Sequence, residues 1–172
     1  MDLEYFKEEL EKIEDEGIRN LTTECLKRAP SYFWYKPASS TGKYHHPDEN
    51  EFAGLLLHTK RVHKVACILV EAWDPPVSLD IVQSASLLHD IKKYGEGTSQ
   101  WTVRNHPELG AAFILKVYKD TNLTEPKIEV VEEISNCIRY HMGRWGPSHD
   151  FKEDPKAWIV HLADYIATQY IP

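Results

Sequence analysis

Apolar residues recur every three or four positions along most of the chain, which is the spacing of helices that bury one face. The clearest stripe spans Gly54–Trp73 and ends at two prolines, Pro75 and Pro76. No alternating run of β-branched residues indicates a strand, and no Asn-Gly pair indicates a hairpin turn. The pattern therefore predicts an all-α bundle of about six or seven helices.

The stripes divide the chain into an N-terminal helical hairpin in residues 1–30 and a helical core in residues 54–168. No repeat and no change of composition marks a second domain, so residues 1–172 are predicted to form a single domain. The segment between the hairpin and the core, residues 31–50, is long enough to be a functional loop. Stretches without helical or strand periodicity, which predict loops, lie at 31–50, 94–105 and 142–152.

Charge and cysteine content narrow the classes of function. The 172 residues include 20 Lys and Arg against 27 Asp and Glu, for a net charge of −7. No basic block offers a track for phosphates, so duplex nucleic acid is not an expected partner, whereas a short single strand remains compatible. Three scattered cysteines without a CxxC pair predict reduced thiols. Without a signal-peptide or membrane-spanning pattern, the expected location is cytoplasmic.

Six polar residues interrupt or end the apolar stripes, and all six are of types that bind metal ions: His58, His89, Asp90, His106, His141 and Asp164. A helical bundle can bring inward-facing residues from different helices onto one interior cluster. Imidazole nitrogens combined with carboxylate oxygens favour Mn, Fe, Co, Ni or Zn ions over Ca²⁺, and Mg²⁺ is also compatible. The sequence therefore predicts a site for divalent metal.

The order of these residues resembles the H…HD…D signature of the HD-domain metal-dependent phosphohydrolases, with the two extra histidines of the branch that binds two metals. Lys92 stands where the HDIGK motif has glycine, and Met142 stands where cyclic-di-GMP phosphodiesterases have a second histidine, which disfavours that branch. Segment 138–141 also resembles the diadenosine tetraphosphate hydrolase branch. The segments that carry the likeness are GLLLHT at 54–59, HDIKK at 89–93, HPELGA at 106–111 and IRYH at 138–141.

The resemblance implies an all-helical HD fold that hydrolyses a phosphoester or phosphoanhydride bond of a nucleotide. Catalytic roles would fall to Asp90, Lys93 and His106. Two alternatives stay open: a 3′–5′ exonuclease or cyclic-nucleotide phosphodiesterase using the same site, and a non-catalytic sensor of nucleotide or metal. The implied ligand sets are His58, His89, Asp90 and Asp164 for one metal, and His106 and His141 with Asp90 bridging for the second.

Charged and aromatic loop residues near the proposed ligands are candidates for binding a small phosphorylated substrate. His161, one turn before Asp164, is expected to support the ligands, and His63 is expected to be exposed. A homodimer formed through the N-terminal hairpin is compatible with the pattern. The candidates are Lys93, Arg104 and Arg144 for phosphate, Trp145 and Trp101 for a base, and His46 or His45 for closing the site or donating a proton.

Overall fold

The computed structural model describes residues 3–97, 99–146 and 154–169, and within them it consists of helices and loops without a strand. The all-α prediction is confirmed. Among these residues, no helix is long and apolar enough to cross a membrane. The predicted loop at 142–152 lies outside the described residues from 147 onwards.

The described part of the chain contains seven α-helices, joined by loops that include short 3₁₀ turns. The helices are α1 (Lys7–Glu11), α2 (Glu16–Lys27), α3 (Gly54–Trp73), α4 (Leu79–Leu88), α5 (His106–Thr121), α6 (Ile128–Tyr140) and α7 (Pro155–Thr168). The 3₁₀ turns are Leu3–Phe6, Ser31–Trp34, Pro47–Asn50 and Gly143–Trp145.

Helix α4 lies at the centre of the bundle, where it packs against α2, α3, α6 and α7. Every residue from Ile81 to Leu88 is buried, so this part of the helix has no solvent-facing stripe. Its two inner serines are hydrogen-bonded inside the core, Ser84 Oγ with Thr22 Oγ1 at 2.7 Å and Ser86 Oγ to the carbonyl of Gln83 at 2.8 Å. The C-terminal end of α4 therefore delivers the next two residues, His89 and Asp90, into the interior.

Two pairs of helices flank the end of α4: α3 packs along α7, and α5 packs along α6. Leu55 and Val62 of α3 and Ile159 and Ala163 of α7 are buried in one core cluster. A residue that shares the inward face of either helix consequently points at the partner helix. The α3–α7 and α5–α6 interfaces are thus two walls of the interior, and α6 also packs against α7.

The first helix is shorter than the apolar spacing predicts. The stripe over residues 3–16 predicts one helix, but α1 ends at Glu11. The Asp80 carboxylate accepts hydrogen bonds from the main-chain N–H groups of Glu14 and Asp15, at 3.0 and 2.9 Å. Because these N–H groups are bonded to a side chain of α4, the backbone leaves the helix here, and the Asp15 side chain caps α2.

The loop between α2 and α3 is tied to the loop that follows α4. Tyr32 donates a hydrogen bond from its hydroxyl to the carbonyl of Gly95 at 2.8 Å. Tyr94 donates in the opposite direction, to the carbonyl of Pro37 at 2.9 Å. These buried phenols hold residues 36–45 against the C-terminal end of α4, where the metal-binding candidates lie.

Candidate metal centre

The six metal-binding candidates meet at the C-terminal end of α4. Five of them are buried almost completely, and the side chain of Asp164 is 21% exposed. Each lies in one of five helices or directly after one. His58 lies in α3, His89 and Asp90 follow α4, His106 begins α5, His141 follows α6, and Asp164 lies in α7. The fold therefore brings together the residues that the sequence singled out.

One half of the centre is formed by α3, α7 and the end of α4. His58 Nε2 lies 3.0 Å from Asp164 Oδ1 and 3.9 Å from Asp90 Oδ2. His89 Nε2 lies 3.5 Å from Asp90 Oδ2 and 3.9 Å from Asp164 Oδ1. Ligand atoms held about 2.1 Å from one metal ion are separated by roughly such distances. We call these four residues the His58 side.

The other half is formed by α5 and α6. Asp90 Oδ1 lies 3.1 Å from His106 Nε2 and 3.7 Å from His141 Nε2, and the two Nε2 atoms are 3.2 Å apart. We call His106 and His141 the His106 side. Because Oδ2 of Asp90 faces the His58 side and Oδ1 faces the His106 side, this one carboxylate joins the two halves.

The outer nitrogen of each histidine is hydrogen-bonded to a group outside the centre. An acceptor at Nδ1 holds the proton there, so Nε2 of the neutral ring presents its lone pair to the centre. His58 Nδ1 donates to the Glu49 carboxylate at 3.2 Å. The other three donate to main-chain carbonyls: His89 to Ser86 at 2.7 Å, His106 to Val103 at 2.8 Å and His141 to Ile138 at 2.7 Å.

This arrangement fits a divalent cation. The groups that face one another are lone pairs of imidazole and oxygens of carboxylates, so all of them are acceptors when the rings are neutral. His89 Nε2 is buried and has no hydrogen-bond partner within the described ranges. Leaving a buried polar atom unsatisfied costs about 1–3 kcal/mol. A metal ion held by these residues would remove that cost, and the mixture of nitrogen and oxygen donors suits transition ions.

Electrostatics distinguish the two sides. Burial would lower the pKa of His58, but its hydrogen bonds to Asp164 and Glu49 raise it to about 9. Burial and the neighbouring imidazoles lower the pKa of His141 to about 3. Burial would raise the pKa of Asp90, yet Lys93 and the surrounding rings hold it well below its ordinary value. A metal ion held by the His58 side would therefore have to displace a proton from His58, whereas His141 is already neutral.

A model of the HD domain family matches residues 55–169, a range that includes all six candidates and more than half of the chain. The chain belongs to the HD domain family. Neither a curated protein nor a solved structure was found to match it. HD domains are in general metal-dependent phosphohydrolases, and the buried His and Asp cluster is suited to divalent metal ions.

A cavity of about 820 Å³ opens onto the metal centre of this HD domain. Four of the six candidates line it: Asp90, His106, His141 and Asp164. His58 and His89 are not among the described residues that line it. Only part of the centre is therefore accessible to a substrate. A second cavity, of about 380 Å³ and bordered by α2 and the end of α5, contains none of the six candidates.

The predicted substrate-binding residues fall into two groups. Lys93 and Trp145 line the cavity, and Lys93 Nζ lies 2.5 Å from Asp90 Oδ2. The Arg144 guanidinium is stacked over the Trp145 ring at 4.6 Å from its centroid. Four candidates are absent from the described lining: Arg144, exposed Arg104, half-buried His46 and Trp101. His46 Nδ1 forms a hydrogen bond with Asp48 Oδ1 at 2.6 Å.

The sequence offered either His45 or His46 as the residue that closes the site or donates a proton, and His45 is the one that lies beside the centre. Its ring lies edge-on to that of His58, with centroids 4.7 Å apart, and it lines the cavity. Its buried Nδ1 has no hydrogen-bond partner in the described structure. Burial, followed by the positive charge of Lys93, lowers its pKa to about 2, so the ring is neutral.

Sequence reasoning missed Glu49 and misplaced His63. Glu49 is completely buried behind His58, but nothing in its local pattern distinguishes it from the exposed acidic residues Asp48 and Glu51. His63 was expected to be exposed and is buried, and its Nε2 lies 4.0 Å from Sγ of Cys67, which accepts a hydrogen bond from Gln83 of α4 at 3.6 Å. His161 donates from Nδ1 to the carbonyl of His141 at 2.6 Å, so it contacts the main chain of a ligand.

Proposed function

We propose that this HD domain is a metal-dependent phosphohydrolase that cleaves a phosphoester or phosphoanhydride bond of a nucleotide. One observation carries the proposal: four of the six residues of the His and Asp centre line a cavity that is also lined by a buried lysine beside Asp90 and by two nearly parallel aromatic rings. Metal ligands, a phosphate partner and a platform for a base are the groups that such a hydrolase requires.

Lys93 supports the phosphate end of the proposal. Its side chain is 8% exposed and its ammonium contacts the Asp90 carboxylate that both sides of the centre share. The described cavity lining contains one other lysine, Lys43, in the loop between α2 and α3. An ammonium so close to the metal ligands can donate charge-assisted hydrogen bonds to a phosphoryl oxygen bound at the centre.

Trp145 and Tyr165 support the base end. Their rings are nearly parallel, with an angle of 15° and centroids 5.7 Å apart, and both line the cavity. Trp145 is 48% exposed and Tyr165 46% exposed, although large aromatic rings usually bury most of their surface. Tyr165 follows the candidate ligand Asp164 directly, so a base stacked here keeps its phosphate near the centre.

The residues of the chain would divide the chemistry as follows. The six ligands would hold divalent ions, which supply Lewis-acid activation of water and of the phosphoryl group when bound. Lys93 would neutralise charge that develops on the phosphoryl oxygens. His45, with a neutral ring that faces the cavity, would donate a hydrogen bond to the leaving oxygen.

The cavity favours a small substrate over a long strand. Its volume of about 820 Å³ lies within the range of about 300–1,000 Å³ that is usual for small-molecule sites. The net charge of −7 provides no extended attraction for a polyanion. A mononucleotide, nucleoside polyphosphate or dinucleotide is therefore the proposed class, and an oligonucleotide or cyclic nucleotide is a different outcome of the test.

The test is metal analysis of the purified protein followed by assays with Mn²⁺, Co²⁺, Ni²⁺ and Mg²⁺. Substrates should include nucleoside mono- and triphosphates, dinucleotides, cyclic nucleotides and short oligonucleotides. We expect hydrolysis of the small nucleotides that stops after metal removal and returns on reloading. Full activity in metal-stripped protein would contradict the proposal, and nucleotide binding without turnover with every ion would indicate a sensor.

A pair of tryptophan variants tests the base platform. Trp145→Ala should raise KM for the nucleotide roughly 10- to 100-fold, because stacking of a base on an aromatic ring is worth about 1–3 kcal/mol. Trp101→Ala should cause a smaller change, since Trp101 is outside the described cavity lining. Neither variant should alter hydrolysis of glycerol phosphate, which has no base. Equal effects of the two substitutions on KM would remove the platform from the proposal.

A further inference from the structure

One of the four histidines at the centre is supported differently from the others. Three of them donate their outer N–H to neutral main-chain carbonyls within three residues of their own position. His58 instead donates to the side chain of Glu49, nine residues earlier, at 3.2 Å. Both side chains are completely buried. A buried carboxylate in this position requires a reason, because it is costly unless it is paired.

Glu49 is paired and fixed in place. Its Oε2 accepts from His58 and its Oε1 accepts from Arg61 Nη1 at 2.6 Å. The Arg61 guanidinium also binds Asp48, at 2.8 and 2.5 Å. Since one oxygen of Glu49 accepts from the outer nitrogen of His58 and the other accepts from Arg61, both oxygens are already hydrogen-bonded, and the geometry is that of a support for His58.

The backbone of Glu49 is fixed as well. Its carbonyl accepts from the N–H of Ala38 at 2.8 Å. A Cβ at Gly54 would lie 1.9 Å from the same carbonyl, so only glycine allows the first turn of α3 to approach this closely. The contact between the loop and α3 is therefore built so that the Glu49 side chain reaches the back of the His58 ring.

We propose that Glu49 is a positioning residue that makes the His58 side the tighter of two metal sites. The inference rests on the proposed metal-dependent function. A carboxylate on the outer N–H holds the ring in the tautomer that presents Nε2, fixes its orientation and increases its basicity as a ligand. The His106 side has carbonyl acceptors only and shares Asp90, so it is the weaker site and fills second.

The test measures metal affinity and not turnover. Metal-free wild type, Glu49→Gln and Glu51→Gln are titrated with Co²⁺ by calorimetry and by the visible absorption of the bound ion. Glu51→Gln is the matched control. It removes the same charge from Glu51, which is exposed and lies two residues after Glu49. Wild type should bind in two steps, and Glu49→Gln should weaken the first about 10- to 100-fold while leaving the second unchanged. Glu51→Gln should match wild type.

The outcomes separate this inference from the proposed function. Wild type that binds no divalent ion would contradict the metal-dependent function itself. Wild type that binds normally, with a Glu49→Gln variant of equal first-step affinity, would overturn only the role of Glu49. Because the variant removes a buried charge, ¹⁵N NMR of zinc-loaded wild type gives a second measurement. A proton on Nδ1 of His58 is expected, and a proton on Nε2 would overturn the inference.

Discussion

The two sides of the metal centre contain similar ligands in different settings. On the His58 side, two histidines that are not part of the described cavity lining face the carboxylates of Asp90 and Asp164. On the His106 side, two histidines line the cavity and have Asp90 as their nearby carboxylate. The two histidines of the His58 side are thus enclosed and have two carboxylates, both of which line the cavity, whereas the two histidines of the His106 side line the cavity themselves.

This difference originates in the packing of the helices. His58 projects from the second turn of α3 and Asp164 from the C-terminal half of α7, and the neighbours of His58 on its face of α3, Leu55 and Val62, are buried in the core. His106 and His141 lie at the first residue of α5 and just after α6, next to loops. An enclosed set of ligands is typical of a permanently held ion, and an open set leaves positions for water and phosphate. The following predictions test this division.

The largest effect is expected at the shared carboxylate. Asp90→Ala removes an oxygen from each side, so the protein should lose both ions and hydrolysis should fall by at least about 10³-fold, given that enzymes commonly accelerate reactions by about 10⁶-fold or more. Asp164→Ala, the matched variant, removes an oxygen from the His58 side alone and should leave one ion bound. Elemental analysis after desalting and kcat/KM measure the two effects.

Asp90→Ala protein that still holds two ions would contradict the bridging position. Equal metal loss in the Asp90→Ala and Asp164→Ala variants would remove the distinction between the two sides. Circular dichroism of the metal-free proteins establishes that each variant is folded before the comparison is made.

The ligands were predictable because helices restrict where side chains point. His58 shares a stripe with Leu55 and Val62, and the burial of those neighbours fixes its direction inward. The same logic applies to Asp164 within α7. The stripes also gave the bounds of α3 without error, whereas α1 was predicted too long, because the Asp80 carboxylate that ends it acts from a distant part of the chain.

The supporting residues were not predictable in this way. Glu49 and His45 lie in a loop without periodicity, and the direction of Glu49 depends on tertiary contacts, such as its hydrogen bonds with His58 and Arg61. His63 illustrates the opposite problem, because a helix packed on two faces buries residues outside its main apolar stripe. The periodicity of a sequence identifies residues on the apolar face of a helix. It does not identify which other parts of the chain pack against them.

The open side is tested by a double substitution, which should have the next largest effect. His106→Ala combined with His141→Ala should lower the bound metal from two ions to one and leave the first Co²⁺ affinity unchanged. Activity should fall about 10²-fold, because the Lewis-acid contact of one ion is worth several kcal/mol. Loss of both ions from the double variant would indicate one site of six ligands in place of two unequal sites.

The smallest effect is expected at the lysine that contacts both the carboxylate and the cavity. Lys93→Met should lower kcat/KM about 10- to 100-fold, since a hydrogen bond to a charged group is worth about 1.5–3 kcal/mol. Metal affinity should be unchanged or stronger, because a cation beside Asp90 is removed. Lys92→Met is the control, since Lys92 binds Glu96 at 2.9 Å and lies over the Phe113 ring. Equal activity losses in the two variants, or weaker metal binding in Lys93→Met, would assign Lys93 to the structure of the centre and not to the substrate.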